Sequence, residues 1–207
     1  MKVAFIVLAL SGLAFSAPQP KKLFHEHFED FMDLIVAEVG EELSSLSEQY
    51  IQYDEFLVSA NYLISSNFKD LVYEMEFLPE FQAVVDFLEN DNIDILYFIN
   101  IFNEFIDSFE ISRKTRQQAT GKDFNSFIND SINLFPKEKL AALYDQKMSE
   151  DEGFRVAMEN LSSDEWSSVF NALWQSEIFQ SEVNSLNENG INIHLLLNEI
   201  LAIFGQN

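Results

Sequence analysis

The chain has no cysteine, so thiol nucleophiles, thiolate metal sites and disulfide staples are all excluded. Glycine occurs six times and proline four times in 207 residues. So few breakers argue for long helices rather than many short strands and turns. Histidine occurs three times, which leaves little material for imidazole chemistry. Basic residues are also scarce, 12 against 35 acidic, for a formal net charge of −23. Such a field repels nucleic acid and anionic membrane surfaces, and no nucleic-acid partner is expected. Glycine-rich phosphate loops, dinucleotide-binding fingerprints and zinc spacings are missing as well.

Phenylalanine is what the chain has in excess, with 21 residues beside 2 tryptophans and 6 tyrosines. That is about twice ordinary usage or more. The first apolar run, "VAFIVLALSGLAF" at 3–15, follows Lys2 and precedes small residues. It has the order of a secretory signal peptide over residues 1–17 and falls short of the roughly 18–20 residues that span a bilayer. Loss of Lys2 with that segment takes the charge from 12 − 35 to 11 − 35, or −24. The expectation is a secreted, soluble protein without disulfides. Asn129 and Asn160 open two N-glycosylation sequons.

Apolar residues recur at steps of three and four throughout, the helical period. Phe24, Phe28, Phe31, Ile35 and Val39 begin the series. Pro79 stands where a first-turn proline belongs. Ser149 with Glu152 and Ser162 with Glu165 read as capping boxes. A polar stretch, "EISRKTRQQATGK", then interrupts the pattern and reads as a basic linker over 110–122.

After it the pattern starts again. Phe124 and Phe127 echo Phe28 and Phe31, with Pro136 opposite Gly40. Further on, residues match at a spacing of 98: Leu63 with Leu161, Phe68 with Trp166, Phe81 with Phe179, Leu88 with Leu186. "DNIDILYFIN" at 91–100 and "NGINIHLLLN" at 189–198 open the last helix of each copy. The expected organisation is therefore helical repeat 1 over 24–109 and helical repeat 2 over 123–206, in one all-α domain. In "ILYFINIFNEFI" at 95–106 apolar residues cover most of the circumference, which argues for burial. Two such helices suggest two units closing over a shared interior.

The stretch 60–100 resembles the insect allergen-related repeat family, which includes insect midgut microvillar proteins and the cockroach group 1 allergen. The matching features are Tyr62-Leu63 then Ser65, Phe68-Lys69 with Leu71-Val72, Pro79-Glu80, and Phe87-Leu88 before the final helix. "NLFPKEKL" at 133–140 is similar to the family's entry into its second helix, whereas the counterpart of Pro79 is lost at Ser176-Glu177-Ile178. The resemblance implies two tandem repeats of about five to six helices each, forming a capsule around an apolar cavity. It implies bound fatty acids or phospholipid-type ligands, release to the gut lumen or microvillar surface, and peripheral association with the microvillar membrane. A lepidopteran branch of the family acts as nitrile-specifier proteins, the alternative functional reading. A cavity-free structural or interaction protein is the other alternative.

The chemistry-bearing residues support no enzyme. His25 and His27 are two apart, which sends their rings to different sides of a helix, and they read as solvated N-terminal histidines. His194 stands where the first copy has Leu96 and reads as a partnered buried group or a polar group of the interior. No glycine-framed nucleophile supports a Ser-His-Asp triad. No catalytic residue, metal or cofactor is expected. What remains is apolar binding. The candidate lipid-lining residues are Leu71, Val72, Met75, Leu88, Ile95, Phe98, Ile99, Phe102 and Phe105 in the first copy. In the second they are Val169, Phe170, Leu173, Ile193, Leu196, Leu197, Ile200 and Phe204.

Overall fold

A computed structural model describes residues 22–108 and 122–205. The segments 1–17 and 110–121, and Phe109 and Gln206 at the expected repeat ends, lie outside the described residues. Every element among the described residues is a helix. The first half holds α1 (Phe24–Tyr50), α2 (Asp54–Leu63), α3 (Ser66–Glu76), α4 (Pro79–Asn90) and α5 (Ile95–Ser108). The second holds α6 (Phe124–Leu134), α7 (Lys137–Glu150), α8 (Glu152–Asn160), α9 (Asp164–Gln175), α10 (Glu177–Glu188) and α11 (Ile193–Ile203). The fold is all-α.

The helix starts of the two halves keep one interval. Asp54, Ser66, Pro79 and Ile95 open helices, and so do Glu152, Asp164, Glu177 and Ile193, each 98 residues on. Local chemistry repeats with them. Ser65 Oγ accepts from the Phe68 N–H and Ser163 Oγ from the Trp166 N–H, so α3 and α9 share one cap. The caps at 151 and 163 are therefore Asp151 and Ser163, not the serines two and one positions earlier. Ser149 instead donates to the Gln146 carbonyl. Before each final helix the chain turns through a left-handed residue, Asn92 at φ 61° and Gly190 at φ 75°. The final helix of the first half begins at Ile95.

One element differs in kind. α1 runs 27 residues with a kink at Val39 (φ −138°), whereas the second half breaks into α6 and α7 at Phe135-Pro136. Proline lacks the N–H of the helix ladder and forces its predecessor out of the helical region. Phe135 accordingly sits at φ −57°, ψ 140°. Val39-Gly40 imposes no such ban, and the helix bends instead of ending.

The halves interlock crosswise. α4 packs on α9 and α3 on α10, while α6 lies between α1, α2 and α11. Phe56 of α2 stacks on Phe124 of α6 at 6.0 Å, and Phe154 of α8 stacks on Phe24 of α1 at 5.9 Å. These mirrored ring pairs tie each half to the other. The buried side chains form two apolar clusters, one around Phe31, Met32, Ile35, Leu140 and Phe154, the other around Tyr50, Phe56, Phe127 and Ile106. No helix of the described residues is long and apolar enough to cross a membrane.

Candidate functional site: the apolar interior and its polar groups

α5 and α11 carry the most apolar sequences, yet neither is a fully buried rod. Ile106 of α5 and Ala202 and Ile203 of α11 are in the core, while Leu96, Phe102, Ile200 and Leu201 are exposed. The expectation of complete burial is corrected. Each helix packs one side on its neighbours and leaves another at the surface, with Phe102 and Ile200 in matching places 98 residues apart.

The candidate lining residues separate by cluster and by exposure. Leu88, Leu173 and Phe204 are buried in the first cluster, with Ile95, Phe98 and Val169 half-buried against it. Leu71 is buried in the second, with Val72, Phe105 and Leu196 against it. Met75 and Ile193 touch both clusters and so join them. Ile99, Phe170 and Leu197 are half-buried, and Phe102 and Ile200 are exposed. Phe98 meets Phe28 edge-on at 5.3 Å, and Phe28 meets Phe204 at 5.9 Å, so the final helices of both halves reach a common aromatic group.

Polar groups beside these clusters repeat in the same two-half arrangement. Asp30 of α1 takes Lys22 at 2.6 Å and the buried Lys147 of α7. Its counterpart Asp130 of α6 takes Lys122 at 3.0 Å and the Tyr50 hydroxyl at 2.5 Å. Burial alone would raise Asp30, but the hydrogen bonds from Lys147 and Lys22 outweigh it and hold the carboxyl below its ordinary value. Hydrogen bonds from Tyr50 and Lys122 do the same for Asp130. Tyr50 is pushed up to about 12, by burial first and by its bond to Asp130 second. A third matched pair fixes the final helices: the His25 N–H donates to Asp94, and Asn125 accepts from the Asn192 N–H.

The histidines are not solvated termini. His25 pairs through Nδ1 with Asp94 and stacks on Tyr97 at 3.9 Å. His27 is buried, with Nε2 3.4 Å from the Asp151 carboxylate but in no hydrogen bond to it. Its pKa is lowered by burial first and by Lys147 second. The first turn of α1 lies against the core through Phe24 and His27, while Leu23 is exposed and His25 half-buried. His194 is the converse, an exposed ring edge-on to Trp174 at 4.6 Å. Among the described residues no group of three or more His, Asp or Glu side chains could hold a metal ion.

Asn129 is exposed, whereas the hydroxyl of its sequon, Ser131, is buried. Asn160 is half-buried and donates its amide to Asp91 at 2.9 Å.

Reasoning from periodicity missed one group. Glu199 of α11 is buried to 7% exposure, its Oε1 has no hydrogen-bond partner, and burial pushes its pKa up to about 7. The acid stands three places from Leu196 and from Ala202, but with apolar residues around the whole helix the sequence marks no inward face for it.

A family model described as insect allergen related repeat, nitrile-specifier detoxification, matches residues 23–197. Protein G12 of Anopheles gambiae is 20% identical over 215 residues, covering 100% of both chains. The family match covers both halves of the fold, and the chain belongs to the insect allergen related repeat family.

Proposed function

We propose that the protein is a secreted, non-enzymatic lipid-binding protein of the gut lumen or microvillar surface, which holds long-chain fatty acids or phospholipid-type ligands between its two halves. One observation carries the reading. Two helices apolar around most of their circumference, α5 and α11, end the two halves, and Phe98 of α5 and Phe204 just after α11 share the ring of Phe28. Phe98 is half-buried there, and Ile99, Leu196 and Leu197 are half-buried elsewhere along the two helices. Met75 and Ile193, which join the two clusters, sit where an alkyl chain passing from one to the other would run. The signal-like segment 1–17 supports secretion, and the family resemblance supports the gut.

The test is extraction and re-addition. Organic extraction of natively purified protein followed by mass spectrometry is expected to release long-chain lipid. A ligand that binds only the folded state at about a hundred times its dissociation constant adds about 2.7 kcal/mol. For a domain of this size that corresponds to roughly 5–10 °C in Tm. Delipidated protein should melt lower by that order and recover on titration with lipid. Lipid-free extracts, with a Tm indifferent to every lipid class, would defeat the proposal.

A further inference from the structure

We propose that the first turn of α1 is a proton-released latch between the two halves: protonation of the His27 ring beside the buried Lys147 ammonium frees that turn from α7 and α8 while the rest of the fold stands. The device is independent of the lipid-binding reading.

The first turn of α1 bridges the halves. Toward the first half, His25 pairs with Asp94 and stacks on Tyr97. Toward the second, Phe24 stacks on Phe154 at 5.9 Å and meets Phe204 at 6.1 Å, and His27 meets Phe154 at 5.0 Å. His27 is 3% exposed and Lys147 of α7 is 8% exposed. Lys147 Nζ lies 3.3 Å from His27 Nδ1. The carboxylate of Asp151, the N-cap of α8, lies 3.4 Å from Nε2. Nδ1 accepts from an ammonium only in the neutral tautomer, with the proton on Nε2. That tautomer suits both neighbours, with a cation at the lone pair and an anion at the N–H.

A second proton has no such place. It would sit on Nδ1, aimed at an ammonium 3.3 Å away and out of water. Lys147 is held there by Asp30, which also takes Lys22. Of the other charges that act on His27, Asp151 and Asp30 favour the charged ring and Lys22 opposes it. Burial and Lys147 are the larger effects, and they make the docked ring harder to protonate. Glu199, the buried acid of α11, is not among the groups that act on it. Tyr144 of α7, edge-on to the same Phe154 ring, is held above its ordinary value by burial and stays neutral.

The second half contains the control. Lys122 and Asp130 repeat Lys22 and Asp30 at an interval of 100, which puts Phe127 in the place of His27. Tyr50 takes the part of Lys147: it donates to Asp130 and lies edge-on to Phe127 at 5.3 Å. Tyr53 holds the place of Asp151, at the interval of 98 set by the starts of α2 and α8. The fold thus closes the matching corner with rings alone, and no histidine is needed to build it.

In the released turn His27 returns to its ordinary value of 6.5, above that of the docked ring. Docking is therefore insensitive to this group above 6.5. As pH falls below that value docking weakens, by about tenfold per unit until the docked ring itself takes the proton. Asp30, held below 3.8, keeps Lys147 in place over that range. Freeing one turn relieves the conflict locally, so the effect on unfolding of the whole chain stops at the cost of that release.

The experiment follows amide hydrogen exchange of the full-length protein by mass spectrometry between about pH 7.5 and about pH 5, corrected for the intrinsic pH dependence of exchange. Protection of residues 24–31 is expected to fall by up to about tenfold per unit below pH 6.5, while that of 124–131 holds. His27→Phe, the residue of the other half, should flatten the response. Lys147→Met, which removes the opposing cation and leaves Lys22 on Asp30, should flatten it too, and decides the matter if the first variant does not fold. A wild-type response that is flat, or equal in both turns, overturns the inference. So does a slope that persists in either folded variant.

Discussion

Glu199 couples the interior to pH through a sign that can be worked out. Its ordinary value is 4.5 and burial moves it to about 7 in the folded protein. The unfolded chain therefore ionises first. Folding carries no penalty from this group below pH 4.5, a growing one between 4.5 and 7, and a constant one above. The gap corresponds to roughly 3 kcal/mol at its full extent. Glu199→Gln should raise stability by up to that order at about pH 8 and change it little at about pH 4. Urea unfolding at the two pH values checks this, and an equal gain at both would show that the penalty is not ionic. The acid is visible in the sequence, but its burial is not. The converse holds for His25 and His27, whose proximity to the chain start suggested solvent although His27 is buried and His25 is half-buried against Asp94 and Tyr97. His194, in a strongly apolar stretch, suggested burial and is exposed because α11 turns that side outward.

The turn between α10 and α11 places Gly190 at φ 75°, and a Cβ there would lie 2.6 Å from Ser59 Oγ. Ser59 is itself fixed, donating to the Asn189 carbonyl at 2.8 Å. Gly190→Ala should cost about 1–2 kcal/mol for the left-handed backbone alone, with the clash adding to it. Asn92→Gly at the matching turn, where asparagine already tolerates this conformation, should be near neutral. Chemical denaturation of both variants tests the contrast, and equal losses would mean that the two turns are not equivalent. Helices were the most legible part of the sequence, because period and breakers agree. The 98-residue interval was legible too, since turns, caps and a final apolar helix all recur at it. The first helix was not. The spacing of Phe124 and Phe127 matches Phe28 and Phe31, an interval of 96, but the bonds of Asp30 and Asp130 place it at 100. A stripe that repeats every three or four residues matches itself after a slip of one turn, and only partners from other helices fix the register. For the same reason the interior side of α5 and α11 could not be read: with apolar residues all round, the pattern marks no inward face.

Charge acts on the molecule as a whole. A net charge of −23 repels itself, and the sequence pI lies near 4.2. Asp30 and Asp130, held below 3.8, contribute stability above that value and lose it as pH falls further. Glu199 and the overall repulsion work against folding at higher pH. Thermal stability should therefore peak on the acid side of neutrality, at about pH 4–6, and added salt should raise Tm at about pH 8 by screening over about 8 Å. Differential scanning calorimetry across pH and salt measures both effects, and a Tm rising steadily to pH 8 would contradict them. The crosswise packing of α3 on α10 and α4 on α9 carries a different consequence, one that falls on the cell rather than the fold. The first half's apolar surface finds its cover about 100 residues further along the chain. At 5–20 residues per second, a ribosome delivers that cover roughly 5–20 s after the first half has emerged. During that interval the nascent chain presents an uncovered face rich in phenylalanine, so its synthesis depends on chaperones more than its small size suggests.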